Sequence, residues 1–166
     1  MSAASVLQQW LDSIIALFYS LFYTQPAHSR RMQTAYRVFD AYNSLSVDNI
    51  LRPMDSSFTH QVLPASLGMP TRSRDDFAKH AAGITSVFEI FAIEPVHVFE
   101  DVGRNAVIAY ARMVGKLARG MGEWENEVVF IMRFSEDGER VVGIQEFVDS
   151  AKAKMMREKM APKNFG

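Results

Sequence analysis

The first part of the chain carries the clearest helical pattern of apolar positions. Between Val6 and Tyr23, apolar residues recur at three- and four-residue steps, which predicts an amphipathic helix. Polar residues at positions 8 to 13 leave an apolar run shorter than the roughly 20 residues of a membrane span. No basic region precedes the run, unlike a signal peptide. We expect residues 1–31 to form a helical extension that docks on the domain or a second subunit; contact between 6–23 and a membrane surface is the alternative.

The next part of the chain predicts three helices and a short strand. Ser46 or Asp48 is placed to cap a short helix, and Ser73 with Asp76 resembles a capping box. Pro64, Gly68 and Pro70 interrupt regular structure. The predicted elements are a helix over Met32 to Leu45, a short helix before Pro53, a strand over Phe58 to Leu63, and a helix from Ser73 to Phe91.

Alternating apolar and polar positions predict four further strands before a basic closing helix. Along the third of these strands, the alternation places Asn126 on the more apolar, inward face and Glu127 on the outward face. The pair Asp137-Gly138 is a strong hairpin signal, and Gly103 and Gly120 mark two other turns. Helices followed by hairpin-linked strands are typical of an α+β fold, whose curved antiparallel sheet can form a cone with helices on its concave side. The strands are expected at about Glu94 to Glu100, Asn105 to Leu117, Trp124 to Phe134, and Val141 to Val148.

Composition narrows the classes of chemistry. The 166 residues suit one ordinary domain, and 18 basic against 19 acidic residues provide no positive field for nucleic acid. The chain has no cysteine, which excludes thiol nucleophiles, thiolate zinc sites and disulfides. Its 12 Phe, 5 Tyr and 2 Trp suit an apolar pocket as well as an ordinary core.

Common motifs for bound groups are missing. The four histidines show no pair at metal-ligand spacing, and Gly120-Met121-Gly122 is isolated between two strands. No Gly-x-Ser-x-Gly elbow occurs. We therefore expect neither a metal nor a cofactor, which leaves carboxylate and imidazole groups as the proton carriers.

Glu146 is the most informative single residue. It shares one face of the last predicted strand with Val142, Ile144 and Val148, so one carboxyl lies in an apolar row. On the inner wall of a cone, desolvation would raise its pKa and suit it to general acid or base catalysis. The alternative is a shifted register that places Glu146 on the surface.

Three strings of the sequence carry a family resemblance: THQVLPASLGMP at 59–70, WENEVVFIMRF at 124–134 and VGIQEFVDSAK at 142–152. They resemble the SnoaL-like group of the NTF2-like superfamily, and more narrowly the cofactor-free cyclases and isomerases of fungal meroterpenoid and polyketide pathways. The resemblance covers residues 32 to 156. It implies a cone-shaped α+β domain over 32–166 that forms a homodimer through its sheet, and it leaves 1–31 unexplained.

The resemblance also implies a site. The family commonly has an acidic residue at the place of Glu146, and its pocket mouth would lie near His60, which can exchange a proton at physiological pH. Some relatives place arginine beside this histidine; Gln61 departs from that pattern, and Arg72 is positioned to substitute. A buried structural role remains the alternative for His60. The predicted catalytic residues are Glu146 and His60, and the predicted substrate-binding residues are Gln61, Arg72, His80, Asn126 and Phe130.

These observations predict a cytoplasmic, cofactor-independent isomerase or cyclase that transfers protons on a bulky apolar substrate of polyketide or terpenoid origin. Glu146 and His60 would act as an acid/base pair. A dehydratase or epoxide hydrolase on the same scaffold and a non-catalytic binding protein are the alternatives. The binding protein would not need the two side chains to meet in a closed pocket. An apolar wall is expected from Phe77, Ile84, Val128, Phe130 and Ile144.

Overall fold

The computed structural model describes residues 10, 13–14 and 28–159, with side chains as far as Met156. The helix predicted over 6–23, and with it the predicted membrane contact, lies outside the described residues apart from Trp10, Ser13 and Ile14. In the described part of the chain, no helix is long and apolar enough to cross a lipid bilayer.

Serine residues cap the first three helices of the domain. The side chains of Ser29, Ser46 and Ser73 each accept a hydrogen bond from the backbone N–H three residues later, which satisfies one of the free donors of a helix start. Of the two residues predicted to cap the short helix, Ser46 and Asp48, the cap is therefore Ser46. The helices are α1 (Arg30–Asn43), α2 (Val47–Leu51), α3 (Arg74–Val87) and α4 (Ser150–Lys159).

Six strands form one curved sheet in the order β2-β1-β6-β5-β4-β3. Strands β3 to β6 follow one another as antiparallel neighbours, as predicted, whereas β1 pairs with β6 in parallel. The architecture is the predicted α+β arrangement with helices on the inner face of the sheet. The strands are β1 (Met54–Leu63), β2 (Arg72–Ser73), β3 (Phe88–Asp101), β4 (Ala106–Leu117), β5 (Glu123–Phe134) and β6 (Val141–Val148).

Three predicted boundaries are wrong. The helix expected to continue to Phe91 ends at Val87, and β3 begins at Phe88 instead of Glu94. A register shift between Phe88 and Ile90 lets Phe88 and Phe91 both lie buried, although their spacing is that of a helix. Strand β1 begins at Met54 instead of Phe58, four residues earlier than expected.

The core lies between the helices and the inner face of the sheet. Phe39 on α1 packs against Phe130 on β5 with ring centroids 5.9 Å apart. Phe58 on β1 packs against Phe77 on α3 at 5.1 Å. All four rings are buried, and burial of each such side chain contributes about 1.5–3 kcal/mol. These contacts fix α1 and α3 against the sheet and thereby shape the space between them.

The outer face of the sheet carries apolar side chains that remain exposed. Phe99 is 62% exposed, Ile108 37% and Phe147 51%. Phe99 on β3 is the register partner of Ile108 on β4. Tyr110 on β4 is the partner of Val129 on β5, which is in turn the partner of Phe147 on β6. We call Phe99, Ile108 and Phe147 the outer patch.

Candidate active site

A cavity of about 540 Å³ lies inside the cone, between the inner face of the sheet, α3, α4 and the turn after β1. Its volume is in the range of small-molecule sites, which are mostly apolar with a few placed polar groups. The polar groups on its wall include Glu146, His80 and Asn126. The apolar part of the wall includes Val62, Leu67, Ile84, Phe91, Met113 and Val148.

The turn after β1 forms one edge of the cavity. It is a short 3₁₀ helix, Ala65–Leu67, that ends at Gly68 with φ 64°. This left-handed conformation is unfavourable for residues with a Cβ, so glycine suits the position. The turn places Ser66, Leu67 and Met69 on the cavity wall.

Glu146 and His60 meet across the parallel pair of strands. Val62 is the register partner of Glu146, and His60 is the partner of Ile144. The Nε2 atom of His60 lies 2.9 Å from Oε2 of Glu146. Because an ionised carboxylate only accepts hydrogen bonds, Nε2 is the donor in this pair.

The two partners are not equally accessible. The side chain of Glu146 is 16% exposed and lines the cavity, whereas that of His60 is 1% exposed and is not among the lining residues. The ring of His60 contacts two rings of α3, that of Phe77 at 4.7 Å and that of His80 at 5.8 Å between centroids. Its Nδ1 atom is buried and has no hydrogen-bond partner among the described residues. Glu146 is therefore the member of the pair that can contact a ligand.

Positive charge surrounds the carboxylate of Glu146. Burial raises its pKa, but the hydrogen bond from His60 and the positive charges of His60 and Arg72 outweigh burial, so the pKa lies below its usual range. The expectation of a raised pKa is wrong for this reason. Arg72 on β2 is buried at 4% exposure, and its Nη1 has no hydrogen-bond partner within the described ranges.

His80 on α3 lies on the cavity wall beside the pair. Burial, together with the positive charges of Arg72 and His60, lowers its pKa to about 3. The imidazole of His80 is therefore neutral at physiological pH, where it offers the cavity a hydrogen-bonding group without a charge.

No family model matches the chain. Solved structures nevertheless share its fold. The BvnE pinacolase of Penicillium brevicompactum superposes with a TM-score of 0.73 at 19% identity, over 78% of this chain and 89% of that one. An NTF2-like protein of unknown function from Burkholderia pseudomallei gives a TM-score of 0.63 at 16% identity, over 81% of this chain and 100% of that one.

Relatives in sequence are fungal secondary-metabolite cluster proteins. An ergochrome gene cluster protein of Claviceps purpurea is 28% identical over 127 residues, 76% of this chain and 82% of that protein. Monooxygenase AgnL5 of Paecilomyces divaricatus is 30% identical over 118 residues, 71% of this chain and 72% of that protein. The chain belongs to the SnoaL-like group of the NTF2-like superfamily.

Three residues predicted to bind substrate in this SnoaL-like protein, Gln61, Arg72 and Phe130, are not among the residues that line the cavity. Gln61 follows His60 in β1 and lies on the opposite face of the sheet, where Gln145 donates to it at 3.1 Å. Phe130 is the register partner of Glu146 and packs into the core against Phe39. Of the five residues predicted to form the apolar wall, only Ile84 lines the cavity.

Asn126 lies on the inner face of β5, as the alternation along this strand predicted. It is 2% exposed and lines the cavity, while its neighbour Glu127 is exposed. Its Nδ2 atom donates to the backbone oxygen of Asp149 at 3.5 Å. The contact joins β5 to the start of α4, the helix that covers one side of the cavity.

Several residues that line the cavity of this SnoaL-like protein are not among those predicted from the sequence. Trp124, Phe88 and Phe91 form an aromatic group at one end of the cavity, and Lys154 on α4 also lines it. Trp124 lies on the same face of β5 as Asn126, two residues away, so alternation along this strand would have identified it as a lining residue. Across the described ranges, no three His, Asp or Glu side chains are grouped as metal ligands would be.

Proposed function

We propose that this SnoaL-like protein is a cofactor-independent isomerase or cyclase that moves protons on a bulky apolar intermediate of polyketide or terpenoid origin. The observation that carries the proposal is the buried contact of 2.9 Å between His60 and Glu146, with the carboxylate on the wall of an apolar cavity. A non-catalytic binding protein has no need of such a pair. The cluster relatives support a role in secondary metabolism.

The geometry assigns different tasks to the two partners. Glu146, ionised at neutral pH, removes a proton from a substrate atom next to a carbonyl or hydroxyl group and returns it elsewhere. His60 donates to the carboxylate and fixes its orientation, and it acts on substrate through Glu146. Neutral His80 is placed to hydrogen-bond a substrate oxygen. The apolar wall holds the substrate in one conformation, so orientation supplies much of the rate.

A second candidate function is monooxygenation, for which the relative AgnL5 is named. Proton removal by Glu146 would also begin this reaction: a substrate carbanion adds molecular oxygen, and the hydroperoxide that forms loses water, so that a CH2 group of the substrate becomes a carbonyl. Dehydration and epoxide hydrolysis use the same pair to expel or activate water. These reactions differ in the mass of the product.

The decisive experiment compares products. An organic extract of a producer strain that lacks this protein is incubated with wild-type protein, with Glu146→Gln, and with the control Glu127→Gln, and is followed by liquid chromatography and mass spectrometry. An unchanged mass supports isomerisation or cyclisation, a change by one water supports dehydration or hydrolysis, and a gain of one oxygen with loss of two hydrogens supports monooxygenation. Equal conversion by wild type and Glu146→Gln would contradict a catalytic role for this carboxylate.

The proposal includes a homodimer that pairs through the outer face of the sheet. The outer patch supports it, since large apolar side chains exposed on one face of a sheet are unfavourable in water. The inner face is already covered by the helices, so pairing through the outer face leaves the cavity accessible.

A further inference from the structure

Two residues of the cavity wall carry a polar atom that the proposed proton transfer does not use. The indole Nε1 of Trp124 and the amide Oδ1 of Asn126 are both buried. Both residues line the cavity. Neither atom has a hydrogen-bond partner among the residues that the structure describes. Buried polar groups without partners are unfavourable, so the pair favours a ligand that supplies the missing hydrogen bonds.

The chemistry of the two atoms is complementary. The indole N–H only donates. The amide of Asn126 uses its Nδ2 to donate to the backbone oxygen of Asp149, which leaves Oδ1 as an acceptor. A hydroxyl group is the simplest ligand group that accepts one hydrogen bond and donates another. A carbonyl oxygen satisfies only Trp124, and an ammonium group satisfies only Asn126.

The indole is held firmly in place. Its ring lies 5.4 Å from that of Phe88 at an interplanar angle of 64° and 6.1 Å from that of Phe91 at 28°. Gly115 is its register partner on β4. A Cβ at Gly115 would lie 2.7 Å from the Phe88 ring, so glycine leaves room for this aromatic group. A donor fixed in this way binds with little loss of conformational entropy.

The two polar atoms are far from the carboxylate. Glu146 pairs with Phe130 on β5, and Asn126 lies four residues earlier on the same face of that strand. Four residues of a strand span about 13 Å. A substrate that reaches both ends of the cavity therefore extends over several fused rings.

We propose that Trp124 and Asn126 bind a hydroxyl group at the end of the substrate remote from Glu146. They thereby select elongated, fused-ring apolar molecules with a hydroxyl on the distal ring. The position of the reacting end rests on the proposed function, whereas binding of the hydroxyl requires no turnover. The two ideas can therefore fail separately.

The test uses two probes of the same shape, 2-naphthol and 2-methylnaphthalene, titrated into ¹⁵N-labelled protein and followed by NMR. The chain contains two tryptophans, Trp10 and Trp124, so the spectrum of Trp124→Phe assigns the indole signal. We expect wild-type protein to bind 2-naphthol about tenfold more tightly, which corresponds to ~1.4 kcal/mol. Only 2-naphthol should move the indole N–H signal of Trp124 downfield, because a hydrogen bond to oxygen deshields this proton.

Variants locate the hydroxyl. In Trp124→Phe, which keeps an aromatic ring beside Phe88 and Phe91, and in Asn126→Leu, the preference should fall to about twofold or less. Glu146→Gln should retain the preference. The proposal is overturned if wild type binds both probes equally or neither, if the preference survives in Trp124→Phe, or if it disappears in Glu146→Gln. Should Asn126→Leu not fold, Trp124→Phe decides. A retained preference without any turnover of substrate would contradict only the proposed function.

Discussion

The imidazole of His60 lies 2.9 Å from the carboxylate of Glu146, yet only the carboxylate reaches the cavity wall. In the proposed reaction a substrate in the cavity therefore meets Glu146 first, and His60 acts through it. His60 lies on strand β1, and its imidazole contacts the rings of Phe77 and His80 on α3. This asymmetry gives the two residues different expected phenotypes.

Glu146→Gln keeps the size and shape of the side chain but removes the base. With the substrate that mass spectrometry identifies, we expect kcat to fall by about 10²–10⁴, the usual contribution of a general base. Glu127→Gln on the exposed face of β5 is the matched control and should keep wild-type activity. Wild-type kcat in a folded Glu146→Gln protein would exclude general base catalysis by this residue.

Arg72→Met should raise the pKa of Glu146, because it removes a buried positive charge that favours the ionised carboxylate. The pKa is read from the carboxyl carbon of Glu146 by ¹³C NMR. The acidic limb of the pH profile for kcat/KM should move to higher pH in the same direction. Arg104→Met, at an exposed position, is the control. An unchanged titration of Glu146 in Arg72→Met would mean that the arginine does not act on the carboxylate.

His80 should make the protein less stable in mild acid. Its pKa is lowered from 6.5 to about 3 in the folded protein, so below pH 6.5 the unfolded chain takes up a proton that the folded protein refuses. The free energy of unfolding therefore decreases as the pH is lowered below 6.5, by at most about 1.4 kcal/mol per pH unit for one group.

His80→Phe removes this proton uptake. Its free energy of unfolding, measured by urea denaturation from pH 6.5 to about pH 5, should fall less steeply than that of wild type. His97→Phe, at an exposed position, serves as the control. Parallel curves for wild type and His80→Phe would contradict the neutral state of His80.

Gly115→Ala should destabilise the fold and narrow the aromatic end of the cavity. The added Cβ would lie 2.7 Å from both the Phe88 ring and the backbone oxygen of Ile90, so at least one of them must move. We expect a loss of about 1–3 kcal/mol in the free energy of unfolding, as for other overpacked positions. Gly103→Ala, where the nearest atom is 3.5 Å away, should have little effect. Equal losses in both variants would count against close packing at Gly115.

Phe147→Glu should prevent the proposed homodimer by placing a charge in the outer patch. Size-exclusion chromatography with light scattering should then give a monomer, against a dimer for wild type. Met121→Glu, at an exposed position in the β4–β5 connection, should leave the dimer intact. A monomeric wild-type protein would rule out pairing at working concentration.

The sequence predicted those site residues whose position depends on one strand alone. Alternation along β6 correctly placed Glu146 on the inner face, and alternation along β5 separated buried Asn126 from exposed Glu127. The helix starting after Ser73 was predicted from its capping residues. Local periodicity and capping carry this information without any long-range contact.

Other features depend on contacts that local patterns do not contain. His60 and Glu146 are 86 positions apart and meet through a parallel strand pair. Phe88 and Phe91 have helical spacing, and only the register shift in β3 explains why both are buried in a strand. Gln61 next to His60 has a polar side chain suited to a site, but the pleat of β1 directs it to the other face.

The parallel pairing of β1 with β6 also makes the candidate site depend on both ends of the sheet sequence. Strands β3 to β6 pair with their neighbours in sequence, whereas β1 pairs with the last strand of the sheet. Glu146 can meet His60 only after β6 has been translated. A chain that terminates before β6 lacks the carboxylate altogether and cannot form the pair with His60.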